Sequence, residues 1–218
     1  MRIQAVAFDM DGLLFDTERL AIDSWLEVGR QLDLPIEREI VLLTLGLDRT
    51  GTRRVFEQHY GTQFDYDRIR ELRLACCYES IERQGMPLKP GVRTLLDFLD
   101  ARGVRYALAT SSDRERAGRY LRSAGLDGRF AGVVCGDMVS RGKPAPDIYR
   151  AACALLRVEP ACCAAFEDAP AGIVAAHRAG CLPVMIPDLV QPDEATAALL
   201  YARFDRLDEA VRLWSDAP

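Results

Sequence analysis

Residues 3–8 form a short, mostly apolar run, Ile3-Gln-Ala-Val-Ala-Phe8, that breaks into Asp9-Met10-Asp11-Gly12. A run of that length and composition suits a strand buried on both faces of a parallel sheet. Asp9 then lies at the carboxyl end of the strand, where open α/β sheets place their ligand sites. Gly12 lets the chain turn sharply just afterwards. A carboxylate at Asp9 can act as a nucleophile or hold a divalent cation, and Asp11 beside it can move a proton. Taken alone, the pattern is equally that of an acidic turn leaving a strand.

Three further segments repeat it. Tyr106-Ala-Leu-Ala-Thr110-Ser111-Ser112 is again an apolar strand that ends in hydroxyls, with backbone N–H groups at the start of the next helix to hold an anion. Ser112 or Asp113 can cap that helix. Gly142-Lys143-Pro144-Ala-Pro146-Asp147 carries one of only two lysines, Lys89 and Lys143, among 28 basic residues. A compact ammonium there can sit between a phosphate and a carboxylate. Pro144 and Pro146 stiffen the loop, and Asp147 can cap the helix after it. Phe166-Glu167-Asp168-Ala-Pro170-Ala-Gly172 ends a third strand in an acidic pair before a helix started by proline. With Asp9, Glu167 and Asp168 make a natural site for a hard cation.

Between the first segment and the rest lies a stretch with helical character and no such strand end. Ala21, Trp25, Val28 and Leu32 fall on one helix face, and Ile69, Leu72 and Cys76 mark another. Asp16 or Thr17 can cap the first of these helices. The stretch reads as an all-helical insertion over residues 17–85. From residue 90 onward, helix and strand alternate, with helices expected over 92–102, 114–124 and 147–156 and strands over 105–110, 132–135, 162–167 and 182–186. That alternation predicts a doubly wound parallel sheet. The expected organisation is an α/β core of residues 1–16 and 86–218 and a helical domain of residues 17–85 inserted after the first strand.

The chain is long enough for such a core, with 218 residues of which 49% are hydrophobic. A net charge of −5 with no long basic run argues against nucleic acid as the main partner. No membrane span and no signal peptide are expected. Seven cysteines, an odd number with no Cys-x-x-Cys pattern, point to a reducing compartment without a disulfide framework. The nearly adjacent pairs Cys76-Cys77 and Cys162-Cys163 cannot wrap one ion, so no cysteine metal site is expected. His59 and His177 are read as helix-face residues, and no Ser-His-Asp hydrolase constellation stands out.

The four strand-end clusters, in this order, resemble the haloacid dehalogenase-like phosphatase superfamily over nearly the whole chain. Asp9 and Asp11 match its first motif, Thr110 its second, Lys143 its third, and Glu167 with Asp168 its fourth. Pro90-Gly91-Val92 and the segments around Lys143 and Glu167 are similar to the subgroup that includes β-phosphoglucomutase and small sugar-phosphate phosphatases. The resemblance implies a Rossmann-like core, with the helical insertion as a mobile cap. It implies Asp9 as nucleophile, Asp11 as acid and base, and Mg²⁺ held by Asp9, the Asp11 carbonyl, Glu167 and Asp168. Met10, Thr110, Ser111, Ser112, Lys143 and Arg114 would hold or flank the phosphate. Gly46 and Arg49 would face the substrate from the cap loop, whereas Arg53 and Arg54 read as a solvated face.

Asp11 disfavours the Mg²⁺-independent dehalogenases of that superfamily, and a cap without lysine disfavours its phosphonate-cleaving members. The β-phosphoglucomutase pattern has a histidine where this chain has Ala21 and a Lys-Gly pair where it has Leu45-Gly46. The expected function is therefore a phosphatase acting on a small phosphorylated metabolite. A phosphosugar mutase is the first alternative and a non-catalytic phosphosugar-binding regulator the second. A monomer in the cytoplasm is expected.

Overall fold

The computed structural model describes residues 3–45, 47 and 49–214. They divide into two compact units, one of Met1–Phe15 with Leu88–Pro218 and the other of Asp16–Pro87. The divisions lie one and two residues from those read in the sequence. Phe15 bridges to both Asp11 and Leu88, which draws the two chain crossings into the first unit.

Among the described residues, the second unit holds four helices, α1 (Thr17–Gln31), α2 (Arg38–Leu42), α3 (Arg49–Tyr60) and α4 (Tyr66–Gln84). Its core joins Ile22, Trp25, Val28, Ile36, Val41, Phe56, Phe64, Tyr66 and Ile69. The ring of Trp25 lies 4.5 Å from that of Phe56, and Phe56 stacks on Phe64 at 5.2 Å. The buried stripe of α1 keeps the expected Trp25 and Val28 but differs at both ends. Ile22, Trp25 and Val28 point inward, while Leu32 is the C-terminal cap residue and is exposed. Asp16 precedes α1 but makes no side-chain capping bond; it pairs instead with Arg19 at 3.5 Å. Asp65 does cap α4, accepting from the Arg68 N–H.

The first unit is built on one six-stranded sheet in the order β3-β2-β1-β4-β5-β6. Its strands are β1 (Ala5–Phe8), β2 (Arg105–Ala109), β3 (Val133–Val134), β4 (Cys163–Glu167), β5 (Leu182–Met185) and β6 (Ala202–Arg203), all paired in parallel. Its helices are α5 (Val92–Ala101), α6 (Arg114–Ser123), α7 (Asp147–Leu156), α8 (Pro170–Ala179) and the short α9 (Glu194–Ala197). The fold is the doubly wound, Rossmann-like α/β architecture expected from the alternation. The two-residue β6 completes one edge of the sheet, and a 3₁₀ helix (Leu207–Trp214) packs against α5, where the Trp214 ring meets that of Phe98; neither was read from the sequence.

Register explains how the sheet positions its ligands. Phe8 pairs with Leu108 on one side and Phe166 on the other, so β1, β2 and β4 end level with one another. The chain moves from β1 to β2 on one flank and returns to β4 on the other. That reversal opens a crevice at the carboxyl ends of these strands. One face of the sheet is lined by Ala5, Ala7, Ala107, Ala109 and Ala165, against which α7 and α8 pack. Such small side chains let helices approach closely. Among the described residues, no helix is long and apolar enough to cross a membrane.

Candidate active site

Asp9 follows the last residue of β1, and its N–H donates to Phe166 O at 3.0 Å, which ties the first acidic residue to β4. Glu167 ends β4, and Asp168 follows it. Asp9, Glu167 and Asp168 are all buried, at 7%, 1% and 9% exposure, and each offers an oxygen within 4.8 Å of the other two. Two glycines make room for them. A Cβ on Gly12, where φ is +80°, would overlap the Asp168 carboxylate, and a Cβ on Gly172, in the first turn of α8, would overlap that of Glu167.

Lys143 enters this cluster from the loop before α7, where the Lys143–Pro144 peptide is cis. Its ammonium donates to Asp9 Oδ1, pairs with Glu167 Oε1 at 2.6 Å and donates to Ala109 O at 3.2 Å. Burial pulls the Lys143 ammonium down, but Asp9 and Glu167 outweigh it and hold it above its ordinary value. Burial raises the Asp9 carboxyl to about 7, even though Lys143 pulls the other way. The dry surroundings thus dominate at Asp9.

Asp11 is placed differently. Its Oδ2 accepts from the Ser112 hydroxyl at 2.8 Å, whereas Oδ1 is buried with no hydrogen-bond partner among the described residues. Ser112 is therefore a bridge from the β2 loop to the β1 loop. The cap of α6 is Asp113, which accepts from the Arg116 N–H at 2.8 Å. Thr110, fully buried, accepts from the Ser112 N–H at 3.0 Å, leaving its own hydroxyl free to donate. A Cβ on Gly136 would overlap the Ser111 carbonyl, so the loops after β2 and β3 are packed directly together. The Met10 side chain is buried, so only its main chain is available to a phosphate.

Arg114 is exposed in the first turn of α6. Asp147 is not a cap: Pro146 takes that place, and Asp147 pairs with Arg141 at 3.0 Å. Arg49, in the helical unit, holds Asp67 at 2.7 Å. Arg53 is not a free solvated side chain, since it shares Asp67 at 2.5 Å and lies over the Tyr66 ring. Gly46 lies outside the described residues. Tyr149 was not singled out in the sequence. Fully buried in α7, it donates to Glu167 Oε1, and its ring lies 5.3 Å from the Lys143 ammonium. Burial, then the charges of Glu167 and Asp9, push its phenol well above the ordinary value. Its position in the first turn of the helix after the lysine loop was the available signal.

The donor set fits a hard divalent cation. All the candidate ligands are oxygens, the preference of Mg²⁺ rather than of a thiophilic metal. Asp9, Glu167 and Asp168 outnumber the Lys143 ammonium beside them, and a divalent ion among them would offset that excess of acid.

The pattern of the haloacid dehalogenase-like hydrolases matches residues 3–180. The chain belongs to that family. Within it, the chain falls in the β-phosphoglucomutase-like subgroup. It is 30% identical to β-phosphoglucomutase of Bacillus subtilis, over 94% of this chain and 96% of that one. It is 32% identical to a phosphorylated carbohydrates phosphatase of Thermotoga maritima, over 82% of each. The crystal structure of a haloacid dehalogenase family hydrolase from Deinococcus radiodurans, with bound phosphate and sodium, superposes with a TM-score of 0.80 at 26% identity, over 96% of this chain and 95% of that one. The activity class of this hydrolase is that of a phosphoric monoester hydrolase.

Proposed function

We propose that the hydrolase is a Mg²⁺-dependent phosphatase that cleaves a small phosphorylated metabolite, a sugar phosphate or a similar compound, through an aspartyl-phosphate intermediate. One observation carries the reading: the Lys143 ammonium lies among the buried oxygens of Asp9 and Glu167, beside Asp168. A cation set between carboxylates, with room for a second, is what a nucleophilic carboxylate needs to approach a phosphate.

Asp9 attacks phosphorus in line with the leaving oxygen, and the bond to that oxygen breaks. Asp11, oriented by Ser112, gives the leaving oxygen its proton. Thr110, the Ser111 N–H and Lys143 hold the phosphoryl oxygens as charge shifts among them. Asp11 then takes a proton from water, which attacks the phosphorus and frees Asp9. Asp9, Asp168 and the Asp11 carbonyl would hold the Mg²⁺, with Glu167 joining directly or through water. When bound, the ion neutralises the phosphate so that one anion can approach another.

The phosphatase-named relative from Thermotoga maritima supports a carbohydrate phosphate as substrate. The Bacillus subtilis relative favours a second reading, a phosphosugar mutase. Ala21 and Leu45 stand where that pattern has His and Lys, so water is the expected acceptor. A panel of phosphometabolites, with Mg²⁺ and after EDTA, tests both readings by phosphate release. Turnover that survives complete metal removal sinks the Mg²⁺ assignment. Conversion of β-glucose 1-phosphate to glucose 6-phosphate with little free phosphate makes the mutase the correct reading.

A further inference from the structure

Beneath the alanine-lined face of the sheet, three cysteines from separate elements converge. Cys153 lies in α7, Cys163 opens β4, and Cys181 precedes β5; their sulfurs all lie within 4.8 Å of one another. Cys153 Sγ is 3.5 Å from Cys181 Sγ. Their exposures are 2%, 0% and 6%. The core around them is Ala5, Ala7, Val134, Ala152, Leu156 and neighbours of the same kind. Among the described residues, no fourth histidine, cysteine or carboxylate joins the three.

We propose that Cys153, Cys163 and Cys181 form a binding site for a trivalent thiophilic metalloid, of which arsenite is the accessible example. A metal–sulfur bond is about 2.3 Å, so three sulfurs bound to one centre stand roughly 3.5–4 Å apart. The trio needs only small movements to reach that spacing. Charge then decides between ligands. Three thiolates around Zn²⁺ leave a negative charge and an open fourth position, and around Cu⁺ a larger charge. Burying such a charge in an aliphatic core without a counter-ion is costly. A trivalent arsenic centre takes three sulfurs and leaves no net charge.

The reaction balances without an oxidant. Uncharged arsenous acid loses three As–O bonds and gains three As–S bonds. The three thiol protons leave with the three oxygens as water. Arsenic stays trivalent throughout. Hydrogen bonding with Cys153 and with Cys181, and then burial, hold Cys163 well up as a thiol, and hydrogen bonding with Cys153 together with burial holds Cys181 up to about 12 against the opposite pull of Cys163. The site also lies near the catalytic cluster. Cys153 follows Tyr149 by one helical turn, and β4 runs from Cys163 to Glu167.

The test is native mass spectrometry of the intact protein after incubation with arsenite, with the thermal midpoint measured in parallel. The expected result is a single adduct of one arsenic less three hydrogens, and a higher midpoint. Cys153→Ala, Cys163→Ala and Cys181→Ala should each weaken uptake at least tenfold, while Cys76→Ala, Cys77→Ala, Cys135→Ala and Cys162→Ala should not. Should an alanine variant fail to fold, the valine variant at the same position takes its place. No adduct on the folded protein, uptake that survives all three changes, or retention of Zn²⁺ with refusal of arsenite overturns the proposal.

Discussion

Lys143 and Glu167 form an ion pair at 2.6 Å with side-chain exposures of only 9% and 2%. The same ammonium donates to Asp9, so one cation holds two carboxylates that are almost out of water. Removing one member of a buried pair leaves its partner's charge uncompensated, at a cost of about 3–5 kcal/mol. Lys143→Met should therefore destabilise the metal-free protein by an amount of that order in urea unfolding. Mg²⁺ should restore part of the loss by supplying another cation. A variant within about 1 kcal/mol of the parent in EDTA would show that the pair is not what balances the site.

The raised Asp9 carboxyl gives stability a definite pH dependence. Asp9 sits at about 7 in the folded protein, against about 3.9 in an unfolded chain. The folded form therefore holds the extra proton between those values. The stability this group contributes is full below about pH 4 and is lost as the pH rises through about 7. Lys143, held above its ordinary value, stays charged across that window and adds no slope. Relative to Asp9→Asn, the metal-free parent should lose up to about 1.4 kcal/mol per pH unit in the window. Mg²⁺ competes with the proton, so its stabilising shift should be larger at about pH 8 than at about pH 5.5. Equal shifts at both would mean that Asp9 is not a ligand.

Asp9→Asn should abolish turnover at every pH, since the amide has nearly the same shape and is a poor nucleophile. Asp11→Asn should slow turnover by about 10²–10⁴-fold, the usual contribution of a positioned proton donor. Single-turnover measurements with acid quench should find phosphate on the protein in the parent and none in Asp9→Asn. Retained activity in Asp9→Asn would remove the covalent step.

Tyr149→Phe tests whether the buried phenol positions Glu167. A hydrogen bond to a charged group contributes about 1.5–3 kcal/mol. The variant should need roughly tenfold or more Mg²⁺ for half-maximal activity, while kcat at saturating Mg²⁺ stays near that of the parent. A fall in kcat with no change in Mg²⁺ dependence would place the phenol at the substrate instead.

What could be read from the sequence was local. Asp9, Thr110 and Glu167 each end an apolar run, and chain punctuation of that kind needs no knowledge of distant partners. The lysine loop stood out because lysine is so rare in this chain. Tyr149 did not, because an aromatic residue inside a helix looks like core until Glu167, far along the chain, is seen to accept from its hydroxyl. Asp67, joining Arg49 and Arg53 across two helices, was hidden in the same way. The stripe of α1 was right at Trp25 and Val28 and missed only at its ends, where Ile22 rather than Ala21 is buried and Leu32, though apolar, is the exposed cap residue. The thiol trio escaped a search for spaced cysteine pairs, since its members come from a helix, a strand and the approach to another strand.

The overlap at Gly172 also has a genetic consequence. Every single-base change in a glycine codon that alters the amino acid, short of a stop, adds at least a β-carbon. At this position each such allele drives an atom into the Glu167 carboxylate. The codon therefore has no mild missense neighbours, and a mutational scan should find it as intolerant as that of Asp9, although residue 172 contributes no functional group of its own.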